Sequence, residues 1–164
     1  MTAVVSRRRF LQGSAVTIIA ASQFAKAQDW FAPALVYPAL KIGNVNSLKP
    51  GSAVNFSYPD EASQGILLQL TEQAIGGVGR GRDIVAYSAA CTHMGCGVQY
   101  KSGRLQCPCH YSLYDPAKNG QVYQGVASSY LPQIPLRVAA NGDIYAIAVE
   151  GLIWGRAVNL LKGA

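Results

Sequence analysis

Cys91-Thr92-His93-Met94-Gly95-Cys96 and Cys107-Pro108-Cys109-His110 together hold every cysteine and both histidines of the chain. A sequence that gathers all its thiols and imidazoles into the twenty residues from Cys91 to His110 is built there around a metal centre. Each half pairs a cysteine with a histidine two or three positions on, and each carries one further cysteine. The set supplies two thiolates and two neutral imidazoles, with a thiol pair to spare.

Two kinds of centre take two sulfurs and two nitrogens. Tetrahedral zinc does so in small structural sites. A two-iron, two-sulfide cluster does so where histidines replace cysteines on one of the irons. Zinc fingers rarely use Cys-x-His, and zinc leaves Cys96 and Cys109 without a role. The cluster is therefore favoured, and a structural zinc domain stays open as the alternative. Two imidazoles in place of two thiolates leave such a cluster less negative, so its reduced form is less disfavoured. Its potential then lies at about −150 to +300 mV, against about −400 mV for plant-type clusters held by cysteine alone.

Outward from the ligands the pattern is β. Asp83–Ala89 leads into the first half, and Val98–Lys101 leads out of it. Arg104–Cys107 leads into the second, which runs on to a turn at Asp115–Gly120. Ser102-Gly103 is a two-residue hairpin turn that would hold the two loops side by side. Gly95 permits a sharp turn with no Cβ near a metal, and Pro108 stiffens the second loop. Further out, Leu40–Val45, Ala53–Tyr58, Ile66–Leu70, Leu136–Ala140 and Asp143–Val149 read as short strands. Lys49-Pro50-Gly51-Ser52 and Asn141-Gly142 punctuate them as turns. The glycine-rich run Gly76–Gly81 precedes a strand rather than a helix, so it reads as a hairpin connection and not as a phosphate cradle. Leu152–Leu161 has weak helical spacing and is expected to form a last helix or strand. Many short strands joined by Gly and Pro turns predict an all-β antiparallel sandwich or barrel.

The chain has 164 residues, of which half are apolar, with a formal net charge of +6. That length suits one domain with a real core. The charge is misleading, because residues 1–27 contain Arg7, Arg8, Arg9 and Lys26 and no acid; without them the balance falls to +2. The remaining Lys and Arg are scattered, so no nucleic-acid partner is expected. Ser6-Arg7-Arg8-Arg9-Phe10-Leu11 resembles a twin-arginine export motif. The apolar stretch Gly13–Ala21 and the small-x-small sequence Ala25-Lys26-Ala27 complete a signal peptide over residues 1–27. Leu11–Phe24 is interrupted by polar residues and is shorter than the roughly 20 apolar residues a spanning helix needs, so no permanent membrane anchor is expected. The expected location is the periplasm. That export route carries folded proteins, which lets a centre be inserted before crossing, and the destination permits a disulfide.

The two ligand stretches, extended to Cys107-Pro108-Cys109-His110-Tyr111-Ser112-Leu113-Tyr114, resemble the paired motifs of Rieske [2Fe–2S] proteins. The resemblance implies a Rieske-type β fold over residues 28–164, with a cluster-binding subdomain of two loops at about residues 86–132. It implies one [2Fe–2S] cluster per chain. Cys91 and Cys107 would bind the inner iron and His93 and His110 the outer, solvent-facing one. Cys96 and Cys109 would form a disulfide. Ser112 would donate to a bridging sulfide and Tyr114 to a cysteine sulfur, both favouring the added negative charge of reduction. Gly125-Val126-Ala127 with Leu131-Pro132 resembles the third loop that covers the cluster in this fold.

Among Rieske classes, an oxygenase needs two further histidines and a carboxylate for a mononuclear iron, and this chain has no histidine beyond His93 and His110. The Rieske subunit of a quinol–cytochrome c oxidoreductase usually has glycine where this chain has Tyr111, and it remains the alternative. The chain resembles the small subunit of arsenite oxidase over about residues 1–160, through its export peptide, Met94, Tyr111-Ser112, Asp115-Pro116 and the tail from Ala140 to Arg156. That resemblance implies a large partner subunit with a molybdenum–pterin centre and a [3Fe–4S] cluster, where arsenite is oxidised. This chain would be the electron-transfer subunit, with no substrate-oxidising or catalytic residue of its own. Electrons would leave to a cytochrome c or a small copper protein. The aromatic arm from Trp30 to Tyr37 and the tail around Trp154 are the expected contacts with the large subunit.

Overall fold

A computed structural model describes residues 36–160. The expected signal peptide at residues 1–27, and the arm as far as residue 35, lie outside the described residues. Ten strands and no helix occur among the described residues, so the all-β architecture is confirmed. The strands are β1 (Leu40–Asn44), β2 (Ser52–Ser57), β3 (Gln64–Gln69), β4 (Ile84–Ser88), β5 (Gln99–Lys101), β6 (Arg104–Gln106), β7 (Leu113–Asp115), β8 (Gln121–Gln124), β9 (Leu136–Val138) and β10 (Asp143–Ala146). They form three antiparallel sheets in the orders β1-β10-β9, β2-β3-β4 and β5-β6-β7-β8.

The middle sheet is the wall between two cores. Successive strand side chains point to opposite faces, and in β3 and β4 both faces are covered, which is why these segments read as continuous apolar runs. Ile66, Leu68, Val85 and Tyr87 face one core with Val98, Leu105, Tyr114, Leu131 and the two cysteines Cys91 and Cys107. Leu67, Ile84 and Ala86 face the other, with Ile134, Leu136, Ile144 and Ala146. Burying a Leu or Ile side chain is worth about 2 kcal/mol, so these residues outweigh surface pairs such as Lys41–Asp143, whose lysine is 56% exposed and screened by solvent. Cys91 and Cys107 are thus part of a hydrophobic core on the same wall that carries the rest of the fold.

The hairpins follow the sequence with one difference. Ser102 (φ 48°) and Gly103 (φ 77°) both occupy the left-handed region, as a two-residue I′ turn requires. At Asn141-Gly142 only the glycine does so (φ 85°). The Gly142 amide donates to the Ala139 carbonyl at 2.9 Å and the Ala139 amide to the Asp143 carbonyl at 2.8 Å, which makes a wider turn. Asn141 instead uses its side chain, accepting from the Asp143 amide at 3.1 Å. The flanking strands are accordingly shorter than expected. Gly76–Gly81 lies in the turns between β3 and β4, as its sequence predicts.

The tail is neither the helix nor the strand expected for Leu152–Leu161; up to residue 160 it is a series of turns. Its order comes from side chains instead. Arg156 donates two bonds to the Asp60 carboxylate, at 2.6 and 2.8 Å. Asn159, 5% exposed, accepts from the Ile153 amide at 2.9 Å and donates to the Gly151 carbonyl and the Tyr37 hydroxyl at 2.6 and 3.1 Å. Tyr37 also stacks on Tyr58, with ring centroids 6.3 Å apart. This end of the expected partner-binding arm therefore packs on its own chain.

The Arg156 hydrogen bonds hold the Asp60 carboxyl below its ordinary value of 3.8, against the opposing effect of burial. A carboxyl depressed in the folded state contributes stability above its unfolded pKa, and that stability is lost as pH falls through the lower folded value. Asp60→Asn is expected to cost roughly 1 kcal/mol at neutral pH and to flatten the loss of stability below about pH 4. Chemical denaturation between pH 2 and 7 measures both; an acid limb identical to the parent's would show that the pair contributes nothing to it.

Candidate metal centre

The two ligand loops are built alike. In the first, the Cys91 amide donates to the Cys96 carbonyl at 2.9 Å and the Gly95 amide to the Cys91 carbonyl at 2.8 Å. In the second, the Cys107 amide donates to the Ser112 carbonyl at 2.9 Å and the Tyr111 amide to the Cys107 carbonyl at 3.1 Å. Each loop is closed between its first cysteine and the residue five positions on. In each, the residue four positions on is left-handed, Gly95 at φ 75° and Tyr111 at φ 58°. Glycine takes that conformation freely; a tyrosine there is strained by about 1–2 kcal/mol. Gln99–Lys101 and Arg104–Gln106 hold the loops adjacent, and the Ala90–Gly97 bridge closes the neck of the first.

This winding sorts the side chains by chemistry. Cys91 and Cys107 are each 1% exposed and carry no disulfide. His93 is half-buried and His110 exposed, with ring centroids 4.8 Å apart and the planes at 84°. Cys96 and Cys109 form a disulfide across the two loops. The Cys96, Cys107 and Cys109 sulfurs lie within 4.8 Å of one another, but two of them are spent in that bond. Two buried thiols and two outward imidazoles remain, each pair formed by one residue from each loop.

The backbone prepares the sulfurs for charge. The backbones of His93 and Met94 lower the Cys91 thiol, and those of Cys109 and His110 lower the Cys107 thiol, the same positions in both loops. Burial pushes both thiols up. At Cys91 the Tyr114 phenol and the two backbones outweigh it and bring the thiol below its ordinary value; Cys107 stays above. The Tyr114 hydroxyl stands 3.2 Å from Cys91 sulfur. Burial first, and then Cys91, push the phenol to about 12, so it keeps its proton and acts as the donor to a thiolate.

Two features were not legible before the structure. The Thr92 amide donates to the Tyr114 oxygen at 3.2 Å, and the Thr92 hydroxyl donates to the Ser129 carbonyl at 2.7 Å. The Thr92 hydroxyl oxygen also stands 3.1 Å from the Tyr114 oxygen; with its own proton committed to Ser129 it can only accept there, so it competes with Cys91 for the phenolic proton, and a charged thiolate is the stronger acceptor of the two. Ser112, fully buried, accepts from the Ala127 amide at 3.1 Å, which leaves its own hydroxyl proton to donate inward. Gly125 lies so close that a Cβ there would stand 2.5 Å from Ser112 Cα. The third loop therefore seats on both ligand loops, through Ser129 on Thr92 and through Ala127 on Ser112. The motif Gly125-Val126-Ala127 pointed to this loop, but Thr92 and Ser129, 37 residues apart, carry no local signal.

Two buried sulfurs, one of them within 3.2 Å of a phenol, and two less buried imidazoles with rings 4.8 Å apart fit a mixed-ligand iron–sulfur cluster. The Rieske [2Fe-2S] domain family matches residues 39–135, and the chain belongs to it. Its cofactor is a [2Fe–2S] cluster. Among relatives, the iodate reductase subunit IdrB of Denitromonas iodatirespirans is 40% identical, covering 96% of this chain and 88% of that one. IdrB of Pseudomonas sp. (strain SCT) is also 40% identical, covering 93% and 83%. The fold is that of the soluble domain of Rieske protein II from Sulfolobus acidocaldarius, with TM-score 0.65 and 23% identity over 74% of this chain and 83% of that one.

For Tyr114→Phe the account predicts a lower midpoint potential with the cluster retained, because one donor to sulfur is lost. The Thr92 amide also loses its acceptor, at about 1 kcal/mol of stability. Voltammetry and denaturation read the two effects separately. A midpoint equal to the parent's would mean that the phenol only packs.

Proposed function

We propose that the chain is the small electron-transfer subunit of a periplasmic arsenite oxidase, in complex with a large molybdopterin/[3Fe–4S] subunit. Cys91 and Cys107 hold the inner iron and His93 and His110 the outer. Residues 1–27 direct export by the twin-arginine route. The bound cluster supplies a one-electron carrier; arsenite is handled by the large subunit, and a cytochrome c or small copper protein accepts the electrons.

The observation that carries this reading is the outward-facing histidine pair at an uncharged, apolar tip. Residues 91–100, 105–114 and 119–136 contain no Lys, Arg, Asp or Glu. Met94, Tyr111, Val126 and Tyr130 stand exposed on these three loops. A transient redox encounter is steered by charge; an apolar tip without charge suits a partner that stays bound. The large subunit fits that description better than a diffusing acceptor. The residues here do the work of a relay. The loops keep water from the sulfurs, Tyr114 and Ser112 supply protons to bonds that favour added charge, and the imidazoles bring the centre to the surface. Tyr111, 64% exposed beside His110, crowds the face where a quinol would meet that imidazole, which weighs against the quinol-oxidising class.

A second reading has its own support. The similarity to iodate reductase subunits extends over nearly the whole chain, and it favours a complex that reduces iodate. The two readings run electrons through this subunit in opposite directions. The test is the complex purified with its large subunit under anaerobic conditions, observed by electron paramagnetic resonance. Under the proposal, arsenite added to the oxidised complex raises the signal of the reduced cluster. If instead iodate abolishes that signal in the pre-reduced complex and arsenite does nothing, the substrate is overturned in favour of iodate. A complex inert to both would overturn the oxyanion relay.

A further inference from the structure

Trp154 lies on the first ligand loop. A Cβ added to Gly95 would stand 3.4 Å from Cε3 and 3.6 Å from Cδ2 of the indole. The ring therefore stands over Gly95, in the turn between His93 and Cys96, at the distance where a side chain there would meet it in ordinary contact. It remains 42% exposed, so core packing does not account for its place; its neighbour Ile153, 4% exposed, supplies that anchor. Gly151 (φ 90°) and Gly155 (φ 78°) turn the chain on either side of it. Asn159 binds the Ile153 amide and the Gly151 carbonyl, and Arg156 binds Asp60 and the Asn159 carbonyl. Turns with so many side-chain bonds to one short segment are held in a single geometry.

We propose that Trp154 is a positioning residue for the redox site. Residues 151–160 form a strap that presses the indole onto Gly95, fixes the turn bearing His93 and keeps water off that flank of the centre. Uptake of one electron adds one negative charge to the site. Water beside the loop would stabilise that charge, and an indole in its place does not. The Arg156 guanidinium adds little net charge nearby, because Asp60 pairs with it. Trp154 thus holds the potential down, in opposition to Tyr114, which holds it up.

The proposal rests on the ligand assignment in the first loop, and the resonance signature of the parent chain reports on that assignment separately. The test is the midpoint potential of the full-length, cluster-loaded chain. Trp154→Ala is expected to shift the reduction equilibrium about three- to tenfold toward the reduced form, tenfold being about 59 mV for one electron. Trp154→Phe, which keeps an apolar ring, is expected to stay within about twofold of the parent. Asn159→Ala, which frees the strap and leaves the indole intact, is expected to shift the potential upward as Trp154→Ala does. If Trp154→Ala fails to retain the cluster, Asn159→Ala carries the test. An unshifted or lowered potential, with or without loss of thermal stability, would overturn the proposal and leave Trp154 a structural contact.

Discussion

Two sulfurs must be kept dry and two imidazoles kept wet within one small site. Each ligand loop meets both demands with the same turn. The first cysteine points inward from the end of a strand, and the backbone then winds back. The backbone of that winding favours the charged form of the sulfur, and the histidines are left less buried than the cysteines. Those backbones offset part of the cost of burying a charged sulfur, and at Cys91 the Tyr114 hydroxyl at 3.2 Å offsets more. The remaining architecture serves the pair of turns. The middle sheet supplies the apolar wall behind the cysteines. The Ser102-Gly103 hairpin sets the loops abreast, the Cys96–Cys109 bond ties their tips, and the third loop seats on both.

The second loop reaches this geometry at a cost. Tyr111 sits at φ 58° where the matching residue of the first loop is Gly95. A side chain held in the left-handed region against its preference, next to the exposed His110, is a strain that the surrounding loop has to hold in place. Glycine there would relieve the strain and open the face of His110. This is a physical difference between a tip suited to a bound protein subunit and one suited to a small quinol.

The kind of centre was legible in the sequence because every thiol and imidazole falls in two short stretches, and such groups have few other uses in that density. The sheets were legible where alternation or a continuous apolar run had one cause, as in β3 and β4. Legibility failed where order depends on distant partners. Asn159 and Arg156 organise a tail with no regular hydrogen bonding, through Tyr37 and Asp60 at sequence separations of 122 and 96. No periodicity announces that. Asn141-Gly142 has the composition of a tight turn, but the Asn141 side chain bonds Asp143 and widens it. Thr92 lies inside the motif and yet carries no signal there, since its role exists only once Ser129 and Tyr114 are folded against it.

The central claim is that one residue of each loop gives sulfur to one iron and one of each gives nitrogen to the other. Pulsed electron paramagnetic resonance of the reduced protein, grown with 15N-labelled histidine, tests this most directly. The account predicts two strongly coupled histidine nitrogens, one of which is lost in each of His93→Cys and His110→Cys. A reduced protein with no histidine nitrogen coupled to the spin, or one that binds zinc with no paramagnetic signal at all, would contradict it.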